Sequence, residues 1–153
     1  MLHSKCVVGQ QSRWRQPEGG REVEEKRPIR TSAAPAAIGP YSQGVVAGDL
    51  VFTSGQIPMT PAGELVVSSI EEATQRCLDS VFAVLAAAGA TATDVLKVTV
   101  YLKDMADFAA VNGVYEKAFS APYPARACVE VGDLPKGVPI EIEAIAQMPR
   151  RGV

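Results

Sequence analysis

Histidine, the residue that most often does acid–base work, is almost missing. His3 is the one histidine in 153 residues, and it stands near the end of a polar tail. A Ser-His-Asp or Cys-His arrangement therefore cannot be built in the folded part, and neither can a histidine-ligated metal site. Cysteine is scarce too. Cys6, Cys77 and Cys128 are scattered, odd in number and without CxxC spacing, which speaks against a disulfide framework or a zinc site. Cys77 falls on an apolar helical face and reads as a small core residue. Reduced thiols fit an intracellular compartment. No apolar run approaches the roughly 20 residues that span a bilayer. No P-loop and no GxGxxG spacing is present to cradle a phosphate. Charge of one sign is lacking as well: a net charge of −2 gives no bulk electrostatic support for nucleic-acid binding. Chemistry here has to run on Arg, Glu, Asp, Tyr, Ser, Thr, Cys or backbone groups.

What is there is a globular composition, with 47% apolar and 21% charged residues, enough for one domain and a tail. Residues 1–30 are polar, mixed in charge and aperiodic, and read as a flexible extension. Its arginines suggest a mitochondrial presequence, but Glu18, Glu22, Glu24 and Glu25 oppose that, because transit peptides avoid acids. The expected compartment is the cytoplasm, with the mitochondrion as the alternative. The domain proper is expected over 31–149. Two short apolar runs around Gly48-Asp49 predict a hairpin. A helix follows, with a capping box from Ser69 and Glu72, an apolar face from Ile70 to Leu85, and a stop at Gly89. "DVLKVTVYL" alternates as a strand with Leu96, Val98, Val100 and Leu102 on one side. A second helix is expected to be capped by Asp107, with Phe108, Val111, Val114, Tyr115 and Ala118 inward. "ARACVEV" and "IEIEAIAQM" close the chain as strands joined by "GDLPKGVP". The order β-β-α-β-α-β-β predicts an α+β fold, a mixed sheet with two helices on one face. Strict alternation puts Lys97, Thr99, Tyr101, Arg126, Cys128, Glu130, Glu141, Glu143 and Ile145 on the open face. That mixture invites self-association.

Arg126 stands at a strand start in "YPARAC", among small residues. If the last two strands pair through a hairpin-like link, Arg126 faces Glu141 or Glu143. Pattern alone then offers two readings. One is a cross-strand ion pair. The other is an arginine fork that holds a ligand carboxylate while Glu141 handles a proton or a water. Tyr41 follows the Gly39-Pro40 turn, and Ser54-Gly55 end a strand where a ligand or another backbone has room to come close. Asn112 sits in the second helix, where asparagine is a mediocre helix former. Lys136, in the rigid loop, reads as a surface charge.

In order along the chain, "APAAIGPYSQGV", "FTSGQIP", "LKDMADFAAVNGVYEKAF", "YPARACVEV" and "LPKGVPIEIEAIA" resemble the RidA/YjgF family, the reactive-intermediate imine deaminases. The likeness runs from about Ala33 to Met148. It implies a chorismate-mutase-like protomer of a homotrimer with active sites between subunits. It implies hydrolysis of 2-imino acids and their enamines, such as 2-iminopropanoate and 2-iminobutanoate, to 2-oxo acids and ammonia, without a cofactor or metal. Carried over position by position, it makes Arg126 the carboxylate-binding residue, Glu141 the water-positioning residue, and Tyr41, Ser54, Gly55, Asn112 and Cys128 the substrate contacts. Two alternatives stand beside the deaminase: a ribonuclease or translation inhibitor, and a non-catalytic binder of small carboxylates. No membrane partner is expected, and a nucleic-acid partner is disfavoured.

Overall fold

The computed structural model describes residues 26–149. Its first strand already lies inside the stretch expected to be a flexible tail. β1 (Arg27–Ile29) pairs antiparallel with β2 (Gly44–Ala47), and Ile29, beside Gly44, is buried in the core. The folded unit therefore includes Arg27–Ile29 and does not begin at Thr31. A three-residue strand is too short for its alternation to register in the sequence. Residues 1–25, with His3, Cys6 and most of the presequence-like arginines, lie outside the described residues.

β2 turns into β3 (Leu50–Thr53) through Gly48, whose φ of 57° is a left-handed conformation that costs glycine little. Helix α1 (Ile70–Ala88) starts at Ser69, whose side chain accepts from the Glu72 N–H, and stops at Gly89, with φ 91°. The other arm of the expected capping box is replaced: the Glu72 carboxylate takes the Ser68 hydroxyl instead. β4 (Val95–Leu102) opens with a bulge between Val95 and Lys97. The extra residue turns Val95 inward and leaves Leu96 exposed, against strict alternation. A short 3-10 turn (Met105–Asp107) leads into α2 (Phe108–Ala118). Asp104, not Asp107, supplies the cap, accepting from the Ala106 N–H. Val111 and Tyr115 are buried as expected, but Phe108 is 38% exposed. β5 (Ala125–Glu130) and β6 (Ile140–Gln147) complete the chain.

The six strands lie in the order β1-β2-β3-β6-β4-β5. β6 is antiparallel to both β3 and β4, while β4 and β5 are parallel. The helices are the crossovers, α1 from β3 to β4 and α2 from β4 to β5. Both cover one face, where Val51, Val98, Val100, Ile140 and Ile142 pack with Leu78, Val81 and Leu85 of α1 and Val111 of α2. Burying each such side chain contributes roughly 1.5–3 kcal/mol. The architecture is the α+β mixed sheet with two helices that the element order predicts.

The position of β6 overturns one local expectation. β5 and β6 are not neighbours; β4 separates them. Lys97, Thr99, Tyr101, Glu141, Glu143 and Ile145 do share the open face. Arg126, Cys128 and Glu130 do not: they stand beside Val98, Val100 and Leu102, on the helix-bearing face. An ion pair between Arg126 and Glu141 across adjacent strands is therefore ruled out within one chain. A loop between two strands looks like a hairpin in sequence. Here it is a passage over the sheet, and β6 takes the slot between β3 and β4, where both its edges are paired.

Candidate active site

Arg126 stands on the edge strand, at the border of the cover that α2 provides. Its Nη1 donates to Asn112 Oδ1 at 2.9 Å. Its guanidinium carbon lies 4.6 Å from the Tyr115 ring centroid and 5.4 Å from that of Phe108. Phe108, Asn112 and Tyr115 are spaced i, i+4, i+7, one face of α2. Together they grip the guanidinium while Arg126 stays exposed. Asn112, Tyr115, Glu116, Tyr123, Pro124 and Arg126 line a cleft of about 310 Å³. Cys128 is two residues further along the same face and half-buried. Burial pushes its thiol pKa up, with Arg126 opposing, so the thiol is kept protonated and is a poor nucleophile.

Glu141 belongs to a different cleft, of about 460 Å³, whose walls include Tyr41, Gln43, Ser54, Gly55 and Lys136. Here β3 leaves its ladder with β6. Phe52 faces Ile145, yet Gln56 faces Ile142, so three residues on one side oppose two on the other. Thr53 Oγ1 fills the break by accepting from the Ala144 N–H at 2.9 Å. The bulge brings Gly55 against Glu141 so closely that a Cβ at Gly55 would fall on the carboxylate. Burial first, and the like charge of Glu143 second, raise the Glu141 carboxyl above its ordinary range. Glu143 itself accepts from the Tyr101 hydroxyl at 3.0 Å. A carboxylate raised in this way is a better base than one in water.

The Ser54 hydroxyl donates to the Ser42 carbonyl at 2.5 Å, so the donor expected for a ligand is already committed within the chain. Tyr41 stands at the mouth, 52% exposed. The structure thus brings Tyr41, Ser54, Gly55 and Glu141 together. Asn112, Arg126 and Cys128 form a second group on the opposite face of the sheet.

Sequence reasoning missed four participants. Tyr115 and Phe108 read as core residues of an amphipathic helix, yet their rings hold Arg126. Gln43 is buried and ties down the segment leading to Tyr41, accepting from the Thr31 N–H and donating to the Thr31, Ala34 and Pro35 carbonyls. Lys136, expected as a plain surface charge, lines the Glu141 cleft from a backbone at φ 60°, followed by Gly137 at φ 67°. No spacing rule marks such loop residues. Among the described residues, no group of three or more His, Cys, Asp or Glu side chains is placed to hold a metal ion.

The family model described as Endoribonuclease L-PSP matches residues 31–148. The chain belongs to the RidA/YjgF family. A RutC family protein of Pyrococcus horikoshii is 53% identical over 122 residues, covering 79% of this chain and 97% of the relative. The 2-iminobutanoate/2-iminopropanoate deaminase of Escherichia coli is 51% identical over 121 residues, covering 77% of this chain and 94% of that protein. A solved structure of E. coli TdcF with bound serine is 44% identical, with a TM-score of 0.76 over 80% of this chain and 99% of that one. Names within the RidA/YjgF family thus range from deaminase to endoribonuclease, and the geometry of the two clefts has to inform the choice.

Proposed function

We propose that the protein hydrolyses small 2-imino acids and their enamine tautomers to 2-oxo acids and ammonia, in sites shared between protomers of a homotrimer. The observation that carries this reading is the split of one chemistry over two clefts. An arginine held by an amide and two rings with its fork open, and a half-buried carboxyl of raised pKa, lie on opposite faces of one chain's sheet. A second copy, docking its Arg126 edge against the Glu141 cleft, completes the set. Exposed apolar side chains flank both halves: Ile38 and Tyr41 on one, Phe108 and Tyr123 on the other. Such surface suits a partner of the same kind. The deaminase relative supports the substrate class.

The chemistry needs little. Arg126 takes the substrate carboxylate with its fork, and positioning supplies much of the rate. A water adds to C2 of the protonated imine. As the O–C bond forms, Glu141 takes the water's proton and the C=N pair moves onto nitrogen. Glu141 then returns the proton to nitrogen. As the C–N bond breaks and its electron pair leaves with ammonia, the C2 hydroxyl gives its proton to Glu141 and becomes the ketone. Glu141 passes that proton to the ammonia, which departs as ammonium. Tyr41 shields the cleft mouth. Asn112 holds Arg126, and Cys128 packs beside it as a neutral thiol.

A mixing experiment tests both the chemistry and its location. Arg126→Ala and Glu141→Gln are each expected to be inactive in a threonine-dehydratase-coupled assay that follows 2-oxobutanoate. Mixed trimers refolded at equal ratio regain about one quarter of wild-type activity, because each shared site draws its two halves at random. Mixtures that stay inactive while forming trimers would place each site within one protomer. The serine bound to TdcF favours a second reading, binding of small amino or oxo carboxylates without turnover. Wild-type protein that binds 2-oxobutanoate but does not speed its formation would establish it. Among the described residues no helix is long and apolar enough to cross a membrane. We retain the cytoplasm as the proposed compartment, and cell fractionation tests it.

A further inference from the structure

We infer that Tyr115, assisted by Phe108, is a positioning residue for Arg126: the two α2 rings set the guanidinium in the pose that receives the ligand carboxylate. This rests on the deaminase reading for the identity of the ligand, but not for the geometry.

Tyr115 is 5% exposed, and its ring lies 4.6 Å from the Arg126 guanidinium carbon. Its own hydroxyl is buried with no hydrogen-bond partner among the described residues. A buried hydroxyl without a partner is a cost to the fold, so hydrogen bonding inside the protomer does not explain a tyrosine here. The ring explains it. Packed against Phe119 at 4.6 Å between centroids, it has little freedom, and its position is set by the core. Phe108 borders the guanidinium at 5.4 Å and is the more exposed of the two rings. Asn112 adds one directed bond from the same helical face.

The arrangement addresses a physical difficulty. Arginine on an edge strand is long and flexible, and ordering it when the ligand arrives weakens binding. Two rings and an amide order it beforehand and leave the fork open, since Nε and Nη2 have no partner among the described residues. Stacking also leaves the in-plane N–H groups available for a two-pronged carboxylate contact. The rings act on ligand capture, not on the water-activating end of the site, so their loss should appear in KM far more than in kcat.

Three variants in the full-length protein test this: Tyr115→Leu, Tyr115→Phe and Phe108→Leu. One readout does not depend on activity. The Arg126 Nε–Hε resonance is expected to carry a ring-current shift in the wild type, to keep it in Tyr115→Phe, and to lose most of it in Tyr115→Leu. The second readout is function. Tyr115→Leu raises KM for 2-iminobutanoate, and the dissociation constant for 2-oxobutanoate, by about tenfold, with kcat within about twofold. Tyr115→Phe brings both back towards wild type. Phe108→Leu, at the exposed ring, leaves the core intact and raises KM by about threefold, so the inference stays testable if Tyr115→Leu unfolds. In an Arg126→Lys background the ring substitutions add nothing. An unshifted wild-type resonance, or Tyr115→Leu and Phe108→Leu with wild-type KM and 2-oxobutanoate affinity, overturns the inference and leaves the deaminase reading standing. A wild-type protein that binds 2-oxobutanoate without turnover overturns the deaminase reading, and the rings are then judged on affinity alone. Protein that neither binds nor turns over overturns both.

Discussion

Adding one methyl group at Gly55 probes the Glu141 site more cleanly than removing Glu141. In Gly55→Ala the new Cβ would sit on the Glu141 carboxylate, with the rest of that side chain also inside contact distance. Gly55 has no left-handed backbone to strain. The group that yields is the far end of a flexible side chain, so the fold should survive. A carboxylate pushed off its preferred rotamer costs about 1 kcal/mol, or a few degrees of melting temperature. To regain ordinary contact it has to move by more than about 1 Å. A misplacement of that size costs about a hundredfold in rate, within the roughly 10²–10⁴-fold that a positioned base supplies. The expected outcome in the coupled 2-oxobutanoate assay is therefore a kcat about a hundredfold down, in a protein that still melts cooperatively a few degrees lower. Combined with Glu141→Gln, the alanine should cost nothing further, because its damage runs through Glu141. Gly55→Ala with a kcat near wild type, or an equal further loss in the Glu141→Gln background, would refute the reasoning.

Two further expectations follow from contacts around the same cleft. Glu143→Gln removes the like charge that helps to raise Glu141, so the Glu141 pKa falls while its burial persists. The base then stays ionised to lower pH, and the acidic limb of the kcat/KM profile moves to lower pH; an unmoved limb would detach Glu143 from Glu141. Gln43→Ala strips the Thr31, Ala34 and Pro35 backbone groups of their shared partner at a buried position. Orphaning such groups costs about 2–3 kcal/mol, visible as a lower denaturant midpoint, with a raised KM because the segment carrying Tyr41 loosens.

Much of the fold was legible because it rests on local rules. The Ser69 and Gly89 signals end α1 where they should, and the apolar faces of α1, β4 and β6 are buried as their periods require, Leu96 of β4 excepted. The failures share a cause. The bulge at Val95 breaks period-2 alternation by one residue, and β1 is too short to show one. Most importantly, "GDLPKGVP" is the same string whether it closes a hairpin or carries the chain over the sheet. Apart from Phe108, Tyr115, Gln43 and Lys136, the candidate residues were legible one by one, as candidates only, through the ordered likeness to the RidA/YjgF family. Their grouping was not.

The sequence by itself determined the order of elements from β2 to β6, the apolar face of α1 and the residues capable of chemistry, since each depends on neighbours within a few positions along the chain. Only the tertiary structure decided which face and which strand each of those residues occupies. With β6 seated between β3 and β4, the parallel register of β5 turns Arg126 onto the rings of α2, while Glu141 looks out from the other face against Gly55. Strand order is a long-range packing outcome, set by which slot lets β6 pair both edges and bury "IEIEAIA". No local pattern encodes it.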